Sequence, residues 1–407
     1  MDTRQPPGPT AEYYRSQLYT NTLPFWLAHG VDHEYGGIFT GLHRDGTRIE
    51  TDKSVWFQGR AAWTFATAYE YSDDGNPAYL DAARSAIEFS DRFCYDTADG
   101  RMLFRVTRDG APLIKRRYFF SECFAACAKA AWARATGDSA ANNEAFELLS
   151  KVIAYQTNPA MSTPKINPET RASTGLSLPM IEIHVAQEIR DAAVLLEGPD
   201  SDLAVRCTDI VSDRIARVER LLVKDDLQCV LEQAGDDGTF LRDHFEGRLL
   251  NPGHSIEFAW FVLREADYTN DTTLRDLGCR ILDWMLDRGW DREFGGFFYF
   301  LDALGYPPFE YWHNMKFWWP HNEAIIACLY AAVLSPEGGQ RSGYMRWFER
   351  IHEWNESHFP DREHGEWFGY LNRDGSVSTE LKGNMFKGPY HIPRMQLYAW
   401  QLLSRLG

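Results

Sequence analysis

The chain has 407 residues and a mass of 46.8 kDa, which at roughly 100–200 residues per domain allows several domains or one large closed architecture. Hydrophobic residues make up 44% and charged residues 25%, a balance that excludes wholesale disorder. The net charge of −16 opposes binding to nucleic acid or to an anionic membrane and leaves a neutral small molecule as the expected partner.

No run of about 18 apolar residues is present, so no membrane-spanning helix is expected. The opening MDTRQPPGPT lacks the apolar core of a secretory signal, so residues 1–10 read as a disordered tail and 11–407 as the folded domain. The seven cysteines are scattered, odd in number and without a CxxC pair, which suits a reduced, cytoplasmic compartment. Aromatic residues reach 14%, and a surplus beyond the core can line a pocket that stacks on flat ligand faces such as sugar rings.

A short pattern recurs along the chain: an acidic residue, a glycine, an aromatic strand-like run, then a second turn. It is clear as DHEYGGIFTGLHRDG from Asp32 and DTADGRMLFRVTRDG from Asp96, and degraded as DDLQCVLEQAGDDG from Asp225. It returns as DREFGGFFYFLDALG from Asp291 and DREHGEWFGYLNRDG from Asp361. The spacings are 64, 129, 66 and 70 residues, so the period is about 65 and one eroded copy is expected near 158–174. Each copy reads as a short hairpin.

Between the hairpins lie paired helical patterns. Arg60–Tyr69 is apolar all round and reads as a buried helix, whereas Tyr79–Phe89 has the spacing of an outer amphipathic one. The pair repeats as Ser121–Arg134 with Ala141–Gln156, Leu178–Leu196 with Ser201–Leu222, Ser255–Ala266 with Leu274–Asp287, and Glu323–Leu334 with Tyr344–Ser357. The last buried helix, Arg394–Leu406, takes the N-terminal Ala11–His29 as its partner, which is how a ring is sealed. Six such pairs predict an all-α fold, a single (α/α)6 barrel with short β-hairpins in its loops, in preference to an open helical solenoid.

One polar residue recurs at the start of each buried helix. From Arg60 the steps to Glu122, His184, His254, His321 and His391 are 62, 62, 70, 67 and 70 residues. Residues at one phase of a ring converge on one end of its axis. Pro179, Pro252, Pro320 and Pro389 precede the four histidines and favour first-turn positions, where the helix dipole keeps an imidazole neutral and able to act as a base. A lone histidine at a buried helix start is usually a hydrogen-bonded core residue, but four in phase point to a site. The histidines at 29, 33, 43, 244, 313, 352, 358 and 364 read as solvated. There is no HExxH, and His254 with Glu257 is a weak ligand pair, so no metal is expected. GxSxG, GxxxxGK[ST] and GxGxxG are all absent, which leaves nucleophilic, phosphoryl-transfer and dinucleotide chemistry without support.

These segments resemble the N-acylglucosamine 2-epimerase family, which also includes cellobiose 2-epimerases and mannose-type aldose–ketose isomerases. The similarity covers nearly the whole chain and is strongest in VWFQGR (Val55–Arg60), FSECF (Phe120–Phe124), NPGHSIEFAWF (Asn251–Phe261), KFWWPHNEA (Lys316–Ala324), GEWFGYL (Gly365–Leu371) and FKGPYHIPR (Phe386–Arg394). FSECF and FKGPYHIPR are closest to the N-acylglucosamine branch, whereas His184 matches the isomerase and cellobiose branches, so the sugar stays open. The resemblance implies an (α/α)6 barrel that inverts C2 of a reducing aldose through His254 and His391, most simply between N-acetylglucosamine and N-acetylmannosamine. It implies no required cofactor, ATP as an allosteric activator in parts of the family, and a homodimer.

Inversion at C2 needs one base on each face of the carbon, and imidazole can serve either way. Arg60, across the ring closure, is the expected cation for the developing oxyanion. Glu257, one turn from His254, is expected to orient it. Trp56, Tyr118, Trp319 and Trp367 are expected to frame the sugar, and Glu122, His184, His321, Glu323, Lys387 and Arg394 to contact it. Two other readings stay open: a glycoside hydrolase or lyase using a pair among Glu122, Glu257 and Glu323, and a binding protein without turnover.

Overall fold

The computed structural model describes residues 8–116, 118–157 and 166–407. Residues 1–7 of the expected tail and 158–165 of the expected eroded repeat lie outside the described residues. Thr10, assigned to the tail, instead caps the first helix by accepting from the Tyr13 N–H at 3.1 Å.

The chain opens with α1 (Ala11–Gln17) and α2 (Leu23–His29), joined by a π-helical turn over Leu18–Thr22. The sequence reads this stretch as one helix, but Pro24 has no N–H and its ring crowds the preceding turn. The ladder widens there, and the Leu23 N–H bonds the Leu18 carbonyl. Five helical hairpins follow: α3 (Val55–Tyr71) with α4 (Pro77–Phe93), and α5 (Phe120–Thr136) with α6 (Ser139–Thr157). After the short α7 (Pro168–Arg171) come α8 (Ser177–Glu197) and α9 (Asp202–Leu222). After α10 (Phe245–Arg248) come α11 (Pro252–Thr269) with α12 (Thr272–Gly289), and α13 (Trp318–Leu334) with α14 (Gly339–His358). The last helix is α15 (His391–Leu406), which packs on α1.

Helices α3, α5, α8, α11, α13 and α15 form the inner ring, and the others wrap it, giving an (α/α)6 barrel. Periodicity explains the division. In α9 the buried apolar residues Leu203, Cys207, Val211, Ile215, Val218 and Leu222 recur at helical spacing and the opposite face is solvated. In α13 every residue from Trp318 to Ala332 is buried. Two inner joints are sealed by polar bonds. Between α8 and α11, Arg190 forks onto Glu265 at 2.7 and 2.6 Å. Between α3 and α15, the Thr64 hydroxyl donates to the Pro389 carbonyl at 2.5 Å.

The repeat motif explains the ring closure. The Asp of each clear copy folds back to accept backbone N–H groups in its own turn, as Asp32, Asp291 and Asp361 do from the residues two and three positions on. The same carboxylates bind a lysine and an arginine. Arg108 of the second copy reaches Asp32 of the first (2.8 and 2.8 Å), and Arg373 of the last reaches Asp291 of the one before (2.8 and 3.2 Å). Arg44 of the first copy reaches Asp361 of the last (2.7 and 2.9 Å). The seal between chain ends is thus the ordinary repeat-to-repeat contact, continued around the ring. The hairpins themselves are brief; Lys53–Ser54 pairs with Arg105–Val106 of the next copy, and Lys316–Phe317 with Tyr370–Leu371.

Burial pushes Asp361 up, but Arg44 and Lys382 more than offset it and hold the carboxyl well below the usual range. Asp32 is held low by Arg108 and Lys53 against the same opposing burial, and Asp291 is held down to about 2 by Arg373 and Lys316. Folded-state values below the unfolded value of about 3.9 stabilise the fold above that pH. Thermal midpoints are therefore expected to fall as pH drops from about 5 toward 2. Asp361→Asn leaves Lys382, whose side chain is 0% exposed, without its charged partner, and is expected to cost about 3 kcal/mol in denaturant unfolding.

Among the described residues no helix is long and apolar enough to cross a membrane. Of the histidines expected to be solvated, His352 departs: it is buried and bonds the Tyr14 hydroxyl at 2.8 Å.

Candidate active site

One end of the inner ring opens into a cavity of about 780 Å³. Each inner helix contributes a stripe at helical spacing: Trp56 and Arg60 from α3, Phe120 and Phe124 from α5, Met180, Ile181 and His184 from α8. The stripe continues as His254, Glu257 and Phe261 from α11, Trp318 and Trp319 from α13, and His391 and Arg394 from α15.

His254 and His391 both lie against Trp319, with ring centroids 5.1 and 5.9 Å from the indole. Local sequence sets both positions. Asn251 caps α11 by accepting from the His254 N–H, and Pro252 fills the first position, which puts His254 in the first turn. Gly253 is required beside it, because a Cβ there would lie 2.5 Å from the Trp319 ring. His391 is the first residue of α15, and Gly388 before it passes Phe57 so closely that a Cβ would lie 2.2 Å from that ring.

The two imidazoles have opposite surroundings. The His254 Nδ1 lies 3.0 Å from both oxygens of Glu232. Burial alone would lower its pKa, but Glu232 overcomes this and raises it above the ordinary value, favouring imidazolium. The His391 Nδ1 lies 2.8 Å from Glu323 Oε1, which fixes the tautomer with a free Nε2. Burial, and then the cations Arg394 and Arg60, push His391 well below its ordinary pKa, so it is neutral. A helix N-terminus was expected to keep both histidines neutral; at His254 the Glu232 carboxylate outweighs the dipole.

Glu232 is a residue the sequence reading missed. It sits in the degraded copy of the motif, between strands Cys229–Val230 and Gln233–Gly235, and no helix phase marks it. Glu257, expected to orient His254, instead bonds Arg394 at 2.5 Å. Arg394 also contacts Glu323 at 2.7 Å. Glu257, Glu323 and His391 offer ligand atoms within 4.8 Å of one another, the kind of set that can hold a metal. The Arg394 guanidinium already supplies the positive charge among these groups, and the Glu323 oxygen facing His391 is spent on Nδ1.

Arg60 carries a cation with no carboxylate within ion-pair distance among the described residues. Its guanidinium lies over the Phe124 ring at 4.2 Å, donates to the Phe386 carbonyl at 3.2 Å, and has an unpartnered Nε. Burial lowers its pKa to about 10, which leaves it charged at neutral pH. His184 forms part of the floor, two turns inside α8 rather than at its N-terminus, and its Nε2 lies 2.7 Å from the Tyr390 hydroxyl.

The other expected contacts do not reach the cavity. His321 is a core residue: Nδ1 donates to the Phe317 carbonyl, Nε2 accepts from the Phe297 N–H, and burial holds its pKa near 3. Glu122 accepts from the Met102 N–H and faces Arg101 at 3.6 Å. Lys387 is fully buried on Glu366. Trp367 stacks on Phe359, and Tyr118 lies edge-on to Phe120 outside the lining. Glu323 lies beneath the floor, where it also accepts from Trp260. Of the three carboxylates proposed for a hydrolase, only Glu257 lines the cavity, so the expected pair across a scissile bond is not assembled.

Comparison with known proteins matches this arrangement. A family profile described as N-acylglucosamine 2-epimerase (GlcNAc 2-epimerase) covers residues 37–393. The chain belongs to the N-acylglucosamine 2-epimerase family. It is 36% identical over 394 residues to the N-acylglucosamine 2-epimerase of Bos taurus, covering 94% of this chain and 89% of that protein. It is 35% identical over 398 residues to that of Mus musculus, covering 96% and 91%. Among solved structures, a D-mannose isomerase superposes with a TM-score of 0.81 over 97% of this chain and 98% of that one, at 16% identity, which shows a shared barrel.

Proposed function

We propose that this family member is a carbohydrate 2-epimerase that inverts C2 of a reducing N-acylated aldose, interconverting N-acetylglucosamine and N-acetylmannosamine. The observation that carries the reading is the pair His254 and His391 gathered at one indole with opposite protonation biases. Environments that push two titratable groups apart assign an acid and a base. The open-chain aldehyde seats C2 between the two rings. Neutral His391 removes the C2 proton, and the electron pair delocalises onto O1 as an enolate, an enediolate where C2 bears a hydroxyl. Arg60 neutralises that charge. Imidazolium His254 then delivers its proton to the opposite face. Glu232 and Glu323 act as positioning residues, each through its histidine.

The test is proton NMR of candidate sugars in D2O: epimerisation with deuterium at C2 is expected, and it is expected to persist after chelation of divalent ions. A 2-ketose product would move the chain to the aldose–ketose reading, in which the proton returns to C1; His184, on the cavity floor, is then the first residue to test. The reading includes a neutral sugar as partner and a cytoplasmic location, which the seven free, buried cysteines support.

The pH dependence follows from the same groups. His254 must be protonated, so kcat/KM is expected to fall as pH rises through its raised pKa. His391 must be neutral, so the acid limb lies well below 6.5. Both directions use one proton shared between two histidines and show the same profile. Glu232→Gln removes the carboxylate that holds the imidazolium, and is expected to move the alkaline limb down by about one pH unit.

A further inference from the structure

The last copy of the repeat motif carries a glutamate where two others carry glycine. Five positions after the motif Asp, the copies that open at Asp32 and Asp291 place Gly37 and Gly296, both in the left-handed region (φ 73° and 69°). The copy that opens at Asp361 places Glu366 there, in the same conformation (φ 56°). The backbone does the same thing in all three: the N–H of Asp32, Asp291 and Asp361 donates to the carbonyl of that residue at 2.9, 2.8 and 2.9 Å. A glutamate is strained in this region, whereas glycine is not. Glu366 is also 0% exposed, and among the described residues its Oε1 has no partner. Strain and carboxylate burial at one residue call for a compensating role.

In three earlier copies the next N–H along is accepted by the first turn of the following inner helix. Gln58 takes the Ile38 N–H at 2.7 Å, Glu122 the Met102 N–H at 3.0 Å, and His321 the Phe297 N–H at 2.9 Å. In the last copy Glu366 takes the Trp367 N–H itself, through Oε2 at 2.7 Å, which releases the inner helix from that bond. Gln58 and His321 are the fourth residues of α3 and α13, and the fourth residue of α15 is Arg394, which lines the cavity and meets Glu257 and Glu323. The same Oε2 holds the Lys387 ammonium at 2.5 Å, four residues before His391. Lys387 also donates to the Lys382 carbonyl at 3.0 Å. Its stem crosses the backbone beside the start of α13: a Cβ on Gly369 would lie 2.3 Å from Lys387 Cδ, and the Gly369 carbonyl accepts from the Trp318 N–H at 3.0 Å. The start of α15 lacks another local anchor of the kind α11 has, because Asn251 caps α11 whereas Tyr390 gives α15 no side-chain cap. Neither Glu366 nor Lys387 lines the cavity.

We infer that Glu366 is a positioning residue for His391: through Lys387 it ties the start of α15 to the strand beside the start of α13, and so sets the imidazole against Trp319 and Glu323. This rests on the 2-epimerase reading and deepens it by naming what holds one of the two bases. The anchor is one-sided. His254 stands on α11 and is held by Asn251 and Glu232, neither of which belongs to the last repeat copy. Disturbing the Glu366–Lys387 pair therefore displaces one base and leaves the other in place, whereas a merely structural ion pair would loosen both or neither. A displacement of about 1 Å can slow a positioned reaction by roughly 10²-fold.

The test is C2–H exchange in D2O, measured separately on N-acetylglucosamine and N-acetylmannosamine. The epimer that His391 serves is the one that keeps exchange in His254→Asn. Glu366→Gln combined with Lys387→Met keeps an acceptor for the Trp367 N–H and removes both charges of the pair, so no buried ion is stranded and the fold is expected to survive. In this double variant kcat for the His391 epimer is expected to fall at least ~10-fold with KM within about two-fold, while exchange from the other epimer stays within about three-fold of wild type. Glu366→Gln alone keeps the lysine stem and is expected to show the same asymmetry at about three-fold or more; it carries the test if the double variant does not fold. Unchanged exchange from both epimers in a folded variant, or equal slowing of both, overturns the positioning role and leaves the epimerase chemistry standing. Absence of exchange from both sugars in the wild-type protein overturns the 2-epimerase reading and the positioning role together.

Discussion

Asparagine in place of either His254 or His391 is expected to abolish net epimerisation in both directions, with a loss of at least ~10²-fold. The two epimers present C2–H on opposite faces, so each base reaches the proton of only one of them. Each variant is therefore expected to keep C2–H exchange with deuterium in the one epimer its surviving histidine can reach. The two residual activities should also differ in pH dependence. In His391→Asn the remaining base is His254, which Glu232 biases toward imidazolium, so exchange should rise as pH climbs through its raised pKa. In His254→Asn the remaining base is His391, neutral down to well below pH 6.5, so exchange should be flat through neutrality. Deuterium uptake measured separately on each epimer checks both statements. Near-wild-type epimerisation by both variants would remove the histidines from the mechanism and make Glu257, the carboxylate between them and Arg394, the next candidate.

Arg60→Ala is expected to slow exchange from both epimers alike, by roughly 10²–10³-fold. The negative charge on O1 is common to both half-reactions, whichever histidine took the proton. The variant should fold, because among the described residues Arg60 has no carboxylate partner to strand, and its hydrogen bond goes to the Phe386 carbonyl. A lysine at this position restores charge but not the planar fork over Phe124, and should recover only part of the rate. Loss in one epimer only would show that Arg60 serves one face and not the common intermediate.

The acid and the base are distinguished by carboxylates of different origin. Glu323 lies on the inner helix next to His391 and shares its oxygen with Arg394, and burial, then Arg394 and Arg60, keep the histidine neutral. Glu232 comes from a hairpin outside the ring of inner helices and, among the described residues, forms no ion pair with an arginine or lysine, so its charge acts on His254. Below the site, Arg394 donates to the Tyr390 hydroxyl, which lies 2.7 Å from His184 Nε2, and one turn further along α8 Glu188 accepts from Trp63, Arg134 and Arg264. This polar column fills the barrel centre and fixes the floor on which Arg394 and His391 stand.

The fold was legible in the sequence because it is a repeat. A period of about 65 residues, two helices per period and helical hydrophobic spacing leave few ways to bury six apolar helices other than a ring. The closure was legible too, since the last buried helix, Arg394–Leu406, had the N-terminal Ala11–His29 as its partner. The phase rule also gathered Arg60, His184, His254 and His391 at one end of the barrel. The phase rule failed where burial decided. Glu122 and His321 hold the ring phase, yet their side chains turn to backbone groups of the hairpins, at Met102 and Phe297, because an unpaired N–H buried there would cost more than a contact to the cavity gains. Phase fixes where a Cα lies on the ring, whereas rotamer and local hydrogen bonding fix where the side chain ends. What only tertiary structure decided is the partnership of each histidine. Glu232 is 22 residues from His254 and Glu323 is 68 from His391, and no local pattern encodes which carboxylate meets which ring. Glu232 biases one imidazole toward its protonated form, whereas burial, Arg394 and Arg60 keep the other neutral, and so one is an acid and the other a base.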